Sequence, residues 1–61
     1  MRKFKVEVEL ENEAFRPDPG PEVVRLLKGI IEKIERGEDE GGRLVDTNGN
    51  TCGRFRFILP H

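Results

Sequence analysis

The sequence predicts a small α+β domain of order β-α-β-β. A three-stranded antiparallel sheet, in spatial order 1-3-2, carries one helix on one face. Three observations predict it. Phe4, Val6, Val8 and Leu10 alternate with charged residues, the period of two that marks a half-buried strand. A 3.6-residue apolar period runs between a proline-rich segment and Gly37. Two short apolar runs then flank Asn48-Gly49, a strong short-range signal for a hairpin.

The first strand puts Lys3, Lys5, Glu7, Glu9 and Glu11 opposite its apolar residues. One face is therefore destined for a core and the other for water. The strand closes in Asn12-Glu13-Ala14-Phe15, and Arg16-Pro17-Asp18-Pro19-Gly20-Pro21 follows. Three prolines in that stretch exclude a central strand and a helix interior. The helix begins there, with Asp18 as N-cap and Pro19 in the first turn, or with Gly20 as cap before Pro21. Asp18 is preferred, because its carboxylate suits the positive end of the helix dipole.

The helix runs to about Arg36, with Gly37 as the residue that ends it. Val23, Val24, Leu27, Ile30, Ile31 and Ile34 share one side, with Leu26 on the flank. This apolar arc is wider than the roughly 100° stripe of an ordinary surface helix. Either the sheet wraps it or part of it meets another chain.

Centred on Asn48-Gly49, a type I′ turn pairs Thr47 with Asn50, Val45 with Cys52, Leu44 with Gly53 and Arg43 with Arg54. One face then carries Leu44, Phe55, Phe57 and Leu59, packed towards Leu27 and Ile30. The other carries Arg43, Val45, Cys52, Arg54, Arg56 and Ile58. Gly53 either relieves crowding against Leu44 or marks a bulge. The last strand is the most apolar and takes the centre, which brings Glu7 and Glu9 near Arg54 and Arg56.

Sixty-one residues make one domain, 1–61. Such a chain buries only about 60% of the surface it exposes when unfolded, so small scaffolds lean on a staple or a second copy. The single cysteine cannot form an internal disulfide, and one histidine, His61, leaves no Cys/His cluster for zinc. No cofactor is implied. The net charge of −1 sets up no global field towards nucleic acid or an anionic membrane. Charged residues are 38% of the chain, which contains no Ser, Gln, Tyr or Trp, a bias that fits ion-pair networks in a thermophilic host. No apolar stretch approaches the roughly 20 residues of a membrane span, and no signal peptide is visible, so a cytoplasmic protein is expected.

Asp46-Thr47-Asn48-Gly49-Asn50 spaces oxygen ligands like the start of a calcium loop. Thr51 then takes the place of the required Gly, and Phe57 that of the bidentate Glu, so turn chemistry explains the pattern better. Cys52 has no histidine base beyond the terminal His61 and reads as a packing residue. No enzymatic constellation emerges, and a non-enzymatic protein is expected. Arg43, Arg54 and Arg56, with Lys3 and Lys5, form a candidate basic patch on the open sheet face. Glu7 and Glu9 partly neutralise it, and the phenylalanines are used elsewhere: Phe4, Phe55 and Phe57 in the core, Phe15 beside the prolines. Base stacking therefore has no platform, so nucleic acid is possible but not favoured. Glu38-Asp39-Glu40 is an acidic loop: either a contact site or merely solvated. Val45, Cys52 and Ile58 suggest a homodimer in which two open sheet faces stack.

The closing pattern Leu44-x-Asp46-x-Asn48-Gly49-Asn50-x-x-Gly53, with the Asp18-Pro19 helix start and the alternating first strand, resembles short uncharacterised proteins of bacteriophages and other mobile elements. The resemblance implies a setting in which a small protein binds and modulates a host protein. The residues expected to make contact are Arg43, Arg54, Arg56 and Glu7 on the sheet, and Glu38, Asp39 and Glu40 in the loop. A nucleic-acid-binding module on the open face is one alternative. A protein that sequesters a nucleotide-like ligand at a dimer seam is another.

Overall fold

The computed structural model describes residues 2–38 and 40–60. Strand β1 (Lys3–Val8) leads through a 3-10 turn (Glu13–Phe15) to helix α1 (Gly20–Glu35), then to β2 (Gly41–Val45) and β3 (Thr51–Ile58). The sheet has the order β1-β3-β2, with both neighbours antiparallel to β3. This is the topology predicted from the sequence. Strand β1 is shorter than its alternating pattern: pairing stops at Val8, and Leu10 is exposed rather than buried.

The N-cap position falls on Pro19, one residue after the predicted Asp18, although the Asp18 carboxylate still serves the helix start. Pro19 already has helical dihedrals (φ −71°, ψ −18°), and the Asp18 carboxylate accepts the Gly20 N–H at 3.0 Å. The intrahelical ladder opens with Val23 N–H to the Pro19 carbonyl at 3.0 Å. At the other end the Gly37 N–H bonds the Ile34 carbonyl and the Glu38 N–H bonds the Lys33 carbonyl, each at 3.0 Å. That pair of bonds needs a left-handed residue between them, which Gly37 supplies at φ +89°. The Arg16–Pro17 peptide is cis.

The core is Phe15, Leu26, Ile30, Leu44, Cys52 and Phe55, with Val6, Val8, Ala14, Val23 and Ile34 packed around it. Three placements correct the sequence reading. Leu26 is buried at 5% exposure, while Leu27 stands 44% exposed. Phe15 is not merely beside the prolines: the 3-10 turn drives its ring into the centre, where it is 2% exposed. Phe4, assigned to the core, is 47% exposed.

Polar tethers explain the roll of the helix. Arg25 Nη2 donates to the Val45 carbonyl at 3.0 Å, Lys33 Nζ to the Arg43 carbonyl at 3.2 Å, and the Thr47 N–H to Glu22 Oε2 at 3.0 Å. All three draw α1 towards β2. Leu26 and Ile30 therefore face the sheet, and Leu27 and Ile31 turn outward.

The hairpin keeps the predicted Leu44–Gly53 and Arg43–Arg54 partners but not the predicted turn. The Gly49 N–H bonds the Asp46 carbonyl at 3.0 Å, and the Asp46 N–H bonds the Asn50 carbonyl at 2.9 Å. Only glycines have positive φ among the described residues, so Asn48 cannot be a central residue of a type I′ turn. The loop is instead a turn over Asp46–Gly49 closed by Gly49 at φ +84°. Val45 pairs with Thr51, which leaves Cys52 as an extra residue, a β-bulge. Cys52 therefore joins the core at 3% exposure instead of the open face. Gly53 beside it serves close approach: a Cβ there would run into the Glu7 carbonyl of β1.

Candidate functional site

Strand alternation places Lys3, Lys5 and Glu7 of β1, Arg43 of β2, and Arg54 and Arg56 of β3 on the face away from α1, all exposed. Register turns them into rungs. Lys5 lies opposite Arg56, which lies opposite Gly41. Glu7 lies opposite Arg54, which lies opposite Arg43. Each rung thus contains a directly opposed pair of cations, an arrangement that weakens a sheet unless something anionic relieves it. Glu7 is the acid nearest by register, yet the ion pairs among the described residues are Glu22–Arg25 and Arg36–Glu38, neither on this face. Gly41 leaves a gap at the end of its rung. Gly41, Gly42, Arg43, Arg54 and Arg56 line an open basin there, and a second basin opens beside the bulge between Glu7, Glu9, Thr51 and Arg54.

The acidic loop borders this face. The Glu40 carbonyl accepts the Phe57 N–H at 3.3 Å, which ties the loop to the end of β3 next to Arg56. Glu38 is engaged locally, its Oε2 accepting from Arg36 Nε at 3.1 Å. Asp39 lies outside the described residues. The predicted contact residues Arg43, Arg54, Arg56 and Glu7 are thus brought together, with Glu38 and Glu40 at their edge. Lys5 completes the cationic rung, and the alternation of β1 already carried that information.

The other polar cluster is structural, and the sequence reading did not assemble it. Asp46, 4% exposed, accepts the Asn48 N–H at 2.9 Å and the Asn50 N–H at 3.0 Å through Oδ1, and Asn12 Nδ2 at 2.9 Å through Oδ2. Glu22, 6% exposed, takes Arg25 through both oxygens, Nε at 2.9 Å and Nη2 at 2.7 Å, as well as the Thr47 N–H. The Arg25 guanidinium holds the Glu22 carboxyl below its ordinary range, and the Asn50 amide does most to hold Asp46 below its own. Of the oxygens suspected of calcium ligation, both of Asp46 are thus occupied by the chain's own donors. The i,i+3 spacing of Glu22 and Arg25 was a local signal, whereas the bonds of Asn12 to Asp46 and of Glu22 to Thr47 span 25 residues or more and had none.

Cys52 donates its S–H to the Leu44 carbonyl at 3.4 Å, and burial pushes the thiol's pKa up. Both effects suppress the thiolate. No group of three or more His, Cys, Asp or Glu among the described residues is placed to hold a metal ion, and no described helix is long and apolar enough to cross a membrane. Compared with models of known protein families, with curated proteins and with solved structures, the chain matches none.

Proposed function

We propose that this is a small non-enzymatic interaction protein, of the kind made by bacteriophages and mobile elements, which binds and modulates a host protein through its open sheet face. The observation that supports this reading is the pair of cationic rungs, Lys5–Arg56 and Arg54–Arg43. The sheet fixes the backbone beneath these side chains, so docking orders the side chains alone, and an acidic surface laid over them removes their mutual repulsion. The partner's matching surface is therefore acidic. Glu7 inside the patch and Glu38 and Glu40 at its border reject a uniformly negative surface and set orientation. The composition suits the cytoplasm of a thermophilic host.

Affinity capture from lysate tests it, with the native chain and an Arg43→Glu/Arg54→Glu/Arg56→Glu variant as baits. The native chain retains a defined protein at low salt and releases it as salt rises, and the folded triple variant retains none. Equal capture by both baits would remove the sheet face from the reading.

Nucleic acid is the second reading, because the same cations suit phosphates. All four phenylalanines fall on the helix side of the sheet or in the core, which weighs against base stacking. Titration with short RNA and DNA at two salt concentrations separates the readings, since phosphate binding weakens steeply with salt. The nucleotide-sequestering alternative is weaker, because neither basin on the sheet is enclosed.

A further inference from the structure

One helical flank is left unexplained by the core. Arg25 and Lys33 bind β2, so the opposite flank of α1 points away from it. That flank carries Val24, Leu27 and Ile31, which are 49%, 44% and 56% exposed. Ile34, half-buried and packed against the edge of the core, continues the line. The spacing 24, 27, 31, 34 is the alternating three-and-four step of a coiled-coil seam. The sheet-stacking dimer suggested by the sequence loses Cys52 to the core. The unpaired apolar surface lies on the helix instead.

We infer that this seam joins two copies of the chain, with their α1 helices antiparallel. Charge selects both the partner and the direction. Lys28 and Glu35 flank Ile31 on the same edge of the seam, three residues before it and four after. A two-fold axis near Ile31 sets Ile31 against the same residue of the partner and Leu27 against the partner's Ile34, with Val24 lying past the end of the partner's helix. It also lays each Lys28 beside the partner's Glu35, twice over. Neither residue has an ion-pair partner within the chain among the described residues. A parallel pair would need charges on the other edge of the seam, where Val23 and Ile30 are packed into the chain's own core. Self-complementarity of this sort fits a second copy, whereas an unrelated partner has no reason to match it. The resulting dimer turns the two cationic sheet faces outward on opposite sides. The inference does not depend on the proposed function, and its test reads association alone.

Sedimentation and light scattering across a concentration series test it. The native chain passes from 7.0 kDa towards twice that mass as concentration rises. Ile31→Glu, at an exposed site, keeps the circular dichroism of the fold and stays at monomer mass. Lys28→Glu sets like charges across the seam and raises the dimer Kd about tenfold. Lys28→Glu with Glu35→Lys restores the native Kd. A native chain that remains monomeric at millimolar concentration would overturn the inference, as would unchanged association of Ile31→Glu or a double exchange that fails to restore dimerisation.

Discussion

The two connections that flank β2 are both acidic, yet their carboxylates do opposite things. In the hairpin turn, Asp46 is buried and every bond it accepts holds backbone or Asn12 in place. In the loop from α1 to β2, Glu38 and Glu40 are exposed, and among the described residues the one side-chain partner there is Arg36 on Glu38. The difference is one of neighbours rather than charge. The turn sits against the helix N-terminus, where Glu22 and Arg25 close over it. The loop runs past the helix C-terminus, whose carbonyls are already satisfied and whose dipole disfavours acids. A carboxylate surrounded by unmet N–H donors becomes structural, and one facing water stays available to a partner.

The sharpest way to break the turn region is at the bulge. Gly53→Val drives a side chain into the Glu7 carbonyl and separates β1 from β3. Loss of the cooperative thermal transition is the expected result, and a variant that melts like the native chain would show that the sheet can give there. Next, Asp46→Ala strands two turn amides and Asn12, and the urea midpoint should fall clearly. Glu40→Ala should leave it where it was.

Acid should reproduce the contrast without mutation. Glu22 and Asp46 have carboxyl pKa values below their unfolded ones, so their contribution is complete above the ordinary carboxylate range of about 4. It is lost as pH falls through their lowered folded values. Melting temperature against pH should therefore drop at the acid end, and a Glu22→Gln/Asp46→Asn variant should show a shallower drop. A drop equally steep in that variant would assign acid sensitivity to other groups. The smallest effect is at Gly49, where a Cβ meets nothing within 4 Å and only φ +84° is strained. Gly49→Ala should cost about 1 kcal/mol.

Much of this architecture was legible. The period of two in β1, the 3.6 period of α1 with Asp18 and Gly37 at its ends, and the apolar β3 all report local geometry, and they carried the topology and the Glu7–Arg54 and Arg43–Arg54 neighbours. The cationic face followed from them. What was not legible depended on contacts between distant segments. The choice of Leu26 over Leu27 as the buried leucine is made by Arg25 and Lys33 reaching β2, which no periodicity encodes. The burial of Phe15 requires the 3-10 turn. The turn itself was misread because Asn48-Gly49 suits two loop geometries, and the Asp46 carboxylate, bonding the amides of Asn48 and Asn50, favours the longer one.

The unpaired residue at Cys52 acts as a change of parity within β3. From Gly53 onward, odd positions are interior and even positions exterior, whereas Cys52, an even position, is interior. Loops of other lengths can be grafted between Asp46 and Asn50 without disturbing the strand beyond. Deleting Cys52 itself would leave Thr51 and Gly53 opposite Val45 and Leu44 in unbroken register, whereas deleting Arg54 would put the rest of β3 out of phase with its neighbours. Arginines would then occupy the places of phenylalanines, and the chain would be inverted rather than merely loosened.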